Sequence, residues 1–413
     1  MTEKKFAETL SKVLSPSRAI TSPEFLRGRE KRLTEIERAF AVPGRQVFIY
    51  GLRGVGKTSL ALTSAYKMQS ADSDIINVIC SEGDTFFSVI QSVAEQALPT
   101  DPRTIKSSEK VTGKLGTKGY GIAAEKYIET GRVPEPSTLN EALSLIEFCS
   151  NAHSDIPVCV IDEFESIKDH PSHSQFARFL KGVADRCISL KFIFCGIAES
   201  VEEIFVSHGS AHRYLHTESL ERMPWEARFE IIDFAASSVG IEIDRTTKIR
   251  IAAISDGFPY FVHEVTAKLL WQCFDRGYQN GMQTVAADFT AALESAIAGI
   301  ELEFKGPYDR AVEKYKTDGE YILWALADTH ELKRNLGEIY KSYVTICRQL
   351  DHPPLEKQKM NVRLSSFKRD SFSKIISSDR RAWYEFPQKM MRGYARLRAS
   401  RKDIHLDPDH PLG

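Results

Sequence analysis

Gly51-Leu-Arg-Gly-Val-Gly-Lys57-Thr58 is the stretch on which the reading of this 413-residue chain turns. It fits GxxxxGK[ST] at every fixed position. Glycines in such a loop let the backbone wrap an anion, so that successive N–H groups and a helix N-terminus face one phosphate. A lysine at 57 reaches the β- and γ-phosphates of a nucleotide, and the hydroxyl at 58 ligates Mg2+. The flanks agree: Gln46-Val-Phe-Ile-Tyr50 is an apolar run suited to a buried parallel strand, and Lys57 to Met68 reads as a helix. That strand–loop–helix setting separates a phosphate loop from a glycine turn with an incidental lysine. The expected ligand is ATP with Mg2+, held by Gly51, Gly54, Val55, Gly56, Lys57, Thr58 and Ser59.

About a hundred residues on, Val158-Cys-Val-Ile-Asp162-Glu163 is an apolar strand ending in two acids. Asp162 is placed to hold the Mg2+ with Thr58, and Glu163 to orient or activate the attacking water. Glu165 reads as a surface carboxylate. Further strands are expected at Ile75–Cys80, Lys191–Cys195 and Leu215–Leu220, and helices at 30–40, 85–97, 139–151, 176–185 and 200–205. Strands alternating with helices predict a parallel sheet covered on both faces. From about 224 to 300 only helical patterns remain. Residues 99–136 are polar, rich in Gly, Lys, Thr and Pro, and read as an exposed insertion.

Composition narrows the class. The 42% hydrophobic and 27% charged fractions belong to a globular chain, and exclude collagen-like and wholly disordered readings. The longest apolar patch, Leu190 to Ala198, is half of a membrane span and carries Lys191, so no membrane partner is expected. The N-terminal MTEKKFAETLSKVL lacks the apolar core of a secretory leader. Seven scattered cysteines with no CxxC fit reduced thiols in the cytoplasm. Charge is uneven. Residues 331–413 hold 18 Lys+Arg against 10 Asp+Glu, although the net charge is −1. An acidic body with a basic C-terminal module follows, for nucleic acid or simply for balance between domains.

With these motifs in place, the chain resembles the AAA+/STAND group of P-loop ATPases. It is most similar to the branch near origin-recognition initiators, transposition-regulator ATPases and related bacterial ATP-binding proteins. The resemblance spans roughly residues 22–300, with a weaker extension to 400. Leu26-Arg-Gly-Arg-Glu30 resembles the element that lies against adenine in that group, which implicates Arg29. Lys191-Phe-Ile-Phe-Cys-Gly196 resembles the sensor-1 strand, but Cys195-Gly196 replaces the usual polar residue; Glu199 and Ser200 are weak substitutes. Arg213, before the strand 215–220, stands where relatives carry an arginine finger that reaches a neighbouring subunit's nucleotide. Arg222 is the second candidate, and a plain surface arginine is the other reading. Gly257-Phe-Pro259-Tyr-Phe-Val-His263 resembles the opening of a lid helix, with Pro259 near nucleotide. His263 either replaces the missing sensor-2 arginine in part or packs the lid. Both sensor departures imply slow hydrolysis.

The implied fold class is α/β: a P-loop NTPase parallel sheet with helices on both faces, then an α-helical lid and a winged-helix domain. The expected divisions are a loosely attached N-terminal arm (1–22), an ATPase core (23–223), a lid (224–302), a winged-helix-like domain (303–402) and a tail (403–413). In the C-terminal module a third helix at 357–369, a wing hairpin at 374–386, and a last helix with Arg392, Arg396 and Arg398 are expected. Residues 355–402 hold 14 basic against 4 acidic residues. That suits DNA phosphates, with Asn361 and Arg363 placed for base edges. Two functions stay open. One is a homo-oligomeric, DNA-associated ATPase that switches assembly with ATP and ADP. The other is a STAND-like signalling or phage-defence switch whose ATP state engages a protein effector.

Overall fold

The apolar run at 46–51 forms β1 (Gln46–Gly51), whose first four residues are buried. The structure is a computed structural model that describes residues 1–69, 73–99, 126–127, 129–207, 211–300 and 304–406. β1 lies inside a five-stranded sheet with β2 (Ile76–Ile79), β3 (Val158–Asp162), β4 (Lys191–Gly196) and β5 (Leu215–Leu220), in the order β2-β3-β4-β1-β5. Every neighbouring pair is parallel. All five residues of β3 are buried, as expected of a strand covered on both faces. Register puts Tyr50 beside Gly196 and Ile79 beside Asp162. The C-terminal ends of β1, β3 and β4 therefore share one edge, where parallel sheets hold their ligands.

By internal contacts the chain forms two bodies. The sheet body comprises residues 19–52 and 56–221; the other comprises 1–18, 53–55 and 222–413. The sheet body carries α2 (Glu30–Ala41), α3 (Lys57–Met68), α4 (Phe86–Ala97), α5 (Leu139–His153), α6 (His170–Asp185) and α7 (Ala198–Ser207), after α1 (Glu3–Val13) of the other body. Caps mark the starts. Thr85 and Ser88 form a reciprocal capping box on α4, and the Thr138 and Asp169 side chains accept from the N–H groups of Glu141 and Ser172. Between sheet and helices lies an aromatic core. Phe164 meets Phe48, Phe176 and Phe194 edge-on, with ring centroids 5.0 to 5.6 Å apart. The insertion read at 99–136 lies mostly outside the described residues, but its end is not exposed throughout. Tyr127 is buried and donates to the Pro99 carbonyl.

The second body corrects three expectations. First, the N-terminal arm is docked. Phe6, Leu10 and Val13 of α1 are buried, and Phe6 packs on Trp271, Phe274 and Tyr278. Second, the region 224–300 is not purely helical. Between α8 (Trp225–Ser238), α9 (Arg245–Ile254), α10 (Pro259–Asp275) and α11 (Ala286–Gly299) it includes a short parallel pair, β6 (Ile241–Glu242) with β7 (Met282–Gln283). Third, the hairpin read at 374–386 reduces to one bridge, Ser377 to Glu385. The strand β9 (Trp383–Glu385) pairs instead with β8 (Lys333–Asn335), antiparallel. Around this ribbon lie α12 (Gly306–Glu313), α13 (Lys316–Leu326), α14 (Leu336–Gln349), α15 (Lys357–Ser366) and α16 (Met391–Arg401).

Charge inside this body also departs from expectation. Arg392 and Arg396 of α16 point inward, 1% and 4% exposed, and meet Asp256, which is 1% exposed. Arg392 holds both Asp256 oxygens at 2.8 and 3.0 Å, Arg222 reaches Oδ1 at 2.6 Å, and Arg396 lies 3.9 Å away. Arg398 pairs with Asp309 and Glu320. The basic C-terminal helix is thus spent on internal structure.

Candidate functional site

Gly54 (φ +84°) and Gly56 (φ +98°) take left-handed backbone that side-chain-bearing residues resist, so the loop can coil tightly before α3. Gly56 is the N-cap of α3 and supplies no side-chain cap, which leaves the first-turn N–H groups for an anion. Val55 is fully buried. Lys57 is nearly buried, and its Nζ donates to the carbonyls of Gly51 at 3.2 Å and Leu52 at 3.1 Å. The ammonium is thereby parked on its own loop. Ser59 serves a different contact: its Oγ accepts from the Ile20 N–H at 3.1 Å, while Thr63 donates to the Ile20 carbonyl.

β4 separates β1 from β3, yet α3 spans the gap. The Thr58 hydroxyl donates to Asp162 Oδ2 at 2.6 Å. Asp162 Oδ1 accepts from the Glu163 N–H at 2.9 Å. Two residues 104 positions apart therefore bring a hydroxyl and a carboxylate together, the hard oxygen donors that Mg2+ takes. Glu163 is exposed and left-handed (φ 54°, ψ 39°), a conformation that costs a non-glycine residue. Phe164 beside it is fully buried in the aromatic core, and that anchor holds the turn.

The end of β4, where the resemblance led to a polar residue being expected, carries Cys195 and Gly196. A Cβ on Gly196 would lie 3.0 Å from the Phe48 ring and 3.4 Å from Phe164 Cβ, so this packing leaves little room for a side chain. The preceding Cys195 is fully buried, and burial first, then Asp162, push its thiol well above the usual range, with Lys57 opposing. A neutral thiol therefore stands at that place. Of the suggested substitutes, Ser200 is buried and Glu199 exposed.

Arg29 is buried and donates to the Glu221 carbonyl at 2.7 Å; burial, then Arg32, against Glu221, brings its guanidinium down to about 10. Arg213 is exposed at the end of a single 3-10 turn, Ala211–Arg213, just before β5. Arg222, the second finger candidate, is committed to Asp256 and to the Asp256 and His330 carbonyls. In the second body Pro259 opens α10 at its first position. Gly257 (φ +77°) allows Arg222 Cβ and the Met223 carbonyl to approach within 3.0 Å of where a Cβ would stand. His263 is buried, accepts from the Ser15 N–H at 3.4 Å, and is driven down to about 4 by burial. It is a neutral packing residue, not a cation. Sequence reasoning missed Asp256, whose only signal was its place just before the Gly257-Phe-Pro259 element.

Asn361 and Arg363, read as base contacts, are occupied internally. Asn361 accepts from the Tyr384 hydroxyl at 3.0 Å, and Arg363 pairs with Asp318 at 2.5 Å over the Tyr315 ring. Lys357, Lys359, Lys368, Arg369, Arg380 and Arg381 are exposed, with no ion pair recorded among the described residues. No helix among the described residues is long and apolar enough to cross a membrane.

No family model and no curated protein matches the sequence. Solved structures do. A Walker-type ATPase of Pyrococcus abyssi superposes with a TM-score of 0.51 at 13% identity, covering 92% of this chain and 99% of that one. The ORC2 protein of Aeropyrum pernix follows with a TM-score of 0.48 at 12% identity, covering 95% and 98%. The ORC1 protein of the same organism, in complex with DNA, gives 0.41 at 14%, covering 92% and 96%. At such identities the likeness is one of fold. The first of these, taken with the parallel sheet and the loop between β1 and α3, establishes that the chain has an α/β P-loop NTPase fold shared with a Walker-type ATPase.

Proposed function

We propose that the protein binds ATP with Mg2+, hydrolyses it slowly, and uses nucleotide state to switch its assembly on duplex DNA. The observation that carries this reading is the 2.6 Å contact from Thr58 to Asp162 at the foot of the glycine loop. Lys57 leaves the Gly51 and Leu52 carbonyls for phosphate oxygens, and the uncapped N–H groups of α3 take the rest of the anionic charge. Thr58 and Asp162 hold Mg2+, which when bound offsets charge on the phosphates. Glu163 orients water and accepts its proton, and Arg213 reaches a neighbouring subunit's nucleotide. The neutral Cys195, Gly196 and neutral His263 add no charge to the reacting phosphate, in keeping with slow turnover. The C-terminal module is read as a winged helix, with α15 and the loop before β9 offering Lys357, Lys359, Arg380 and Arg381 to DNA phosphates.

Lys57→Ala tests the premise. ATP affinity measured by calorimetry should vanish, and retained affinity would remove the site. Glu163→Gln should bind ATP and fail to turn it over; wild-type turnover would reassign the base. A second reading has one observation in its favour. Arg392, Arg396 and Arg398 are paired inside the protein, which shrinks the basic surface and favours a signalling switch with a protein effector. Solution mass of the Glu163→Gln protein with ATP or ADP, with and without duplex, decides between them. Assembly that needs ATP and DNA together supports the first, and assembly with ATP alone supports the second.

A further inference from the structure

The sheet body holds a cluster that neither phosphate binding nor assembly uses. His170 opens α6 and His173 follows one turn later, so the two imidazoles share a face. Glu203 comes from α7. One donor atom from each lies within 4.8 Å of the others, and His173 Nδ1 is 3.0 Å from Glu203 Oε2. The sequence carries this as His170-Pro-Ser-His173, a spacing its reading passed over because the carboxylate lies thirty positions further on.

His173 is the informative member. It is 3% exposed, and its ring nitrogens make no hydrogen bond of normal geometry among the described residues, Nδ1 having only the Glu203 carboxylate opposite. A buried polar group in that state calls for a partner. An imidazole ligates a metal through a neutral ring nitrogen. The helix start is also well fixed: Asp169 caps it, and Ser172 Oγ accepts from the Phe86 N–H at 2.8 Å.

We propose that His170, His173 and Glu203 bind one divalent transition metal of the zinc class. Two imidazoles and a carboxylate suit Zn2+, Co2+ or Ni2+ and do not suit Mg2+, which prefers oxygen alone. Three protein ligands leave a position open for water. His170 and His173 begin the helix that follows Asp162-Glu163, whereas Glu203 lies on the helix that follows β4. A bound metal would therefore tie together the segments that follow the adjacent strands β3 and β4. The inference is independent of the ATPase reading, since it rests on other residues.

The test is a Co2+ titration of the full chain without nucleotide, followed by visible absorption, then displacement by Zn2+. One equivalent should give ligand-field bands of a nitrogen and oxygen site, unaffected by excess Mg2+. His170→Ala, at an exposed position, and Glu203→Gln should each weaken Zn2+ binding by about tenfold or more, while Lys57→Ala leaves it unchanged. Zn2+ should raise the melting temperature of wild type and not of His170→Ala. Absent bands, a thiolate charge-transfer spectrum, or equal affinity in wild type and His170→Ala would each overturn the proposal.

Discussion

Asp256→Asn removes a buried carboxylate shared by three arginines. In the native protein Arg392 clamps both carboxylate oxygens, Arg222 lies at 2.6 Å and Arg396 at 3.9 Å, and Asp256 and Arg392 are each 1% exposed. Backbone carbonyls complete the arginines: Arg392 donates to Thr329 and Glu331, and Arg396 to Ala253, Ala327 and Thr329. Carbonyls solvate a guanidinium but do not cancel its charge. Loss of one partner of a buried pair typically costs about 3–5 kcal/mol. For a body of this size that is roughly 6–20 °C in Tm. Arg392→Met leaves the carboxylate two cations, so the loss should be nearer about 1–3 kcal/mol. All four tryptophans (225, 271, 324 and 383) lie in this body, so urea unfolding followed by their fluorescence reads it alone. Acid supplies a second signature. Burial raises the Asp256 carboxyl, and Arg392, Arg396 and Arg222 outweigh it to hold it below the usual range. A depressed carboxyl stabilises fully above the unfolded value of about 4 and loses that contribution as pH falls through its native value. The gap between wild type and Asp256→Asn should close over that acid window. A neutral-pH difference under about 1 kcal/mol, or a greater loss in Arg392→Met, would refute the assignment.

Other outcomes follow from the same structure. If α15 contacts DNA, Lys357→Ala with Lys359→Ala should reduce the salt dependence of duplex binding by a log–log slope of about 2, read by fluorescence anisotropy; an unchanged slope would clear that helix of phosphate contact. The His263 ring should stay neutral in proton NMR down to about pH 4. Because that value lies below the unfolded histidine's of about 6.5, stability should fall as pH drops between the two; a ring titrating near 6.5 would place it in solvent. Phe164→Ala should destabilise the sheet body by about 3–5 kcal/mol in calorimetry, and a near-neutral result would show that this ring does not hold the turn at Glu163.

Local pattern made the sheet body legible. β1, α3 and β5 begin where the pattern put them, because short apolar runs bounded by Gly, Pro and acidic residues leave few alternatives. The phosphate loop was legible because its glycines, lysine and threonine are contiguous. What escaped depends on contacts distant in sequence. The arm at 1–22 reads as loose because a three-residue apolar stripe does not reveal Trp271 and Phe274 as its partners. Arg392 and Arg396 read as surface because a charge run is normally solvated, and only Asp256, 136 and 140 positions earlier, reverses that. The pairing of β9 with β8 instead of within 374–386 joins strands nearly fifty residues apart, beyond any hairpin rule.

The Asp256 site also bears on how such a switch can work. Helix α16 is bound to the segment before α10 by two charged side chains nearly sealed from solvent. Separating them would rehydrate Asp256 and Arg392 but break a bidentate pair and uncover the Phe261 ring that packs against Gly393 within 3 Å of where a Cβ would stand. Release of the C-terminal module from the 222–300 helices is therefore an expensive step for a nucleotide to drive, since a switch from 1:99 to 99:1 needs about 5.5 kcal/mol of differential affinity before any such loss is offset. A mechanism that keeps α16 seated has no such term to overcome. Either proposed function would then have to work with α16 left seated on the 222–300 helices.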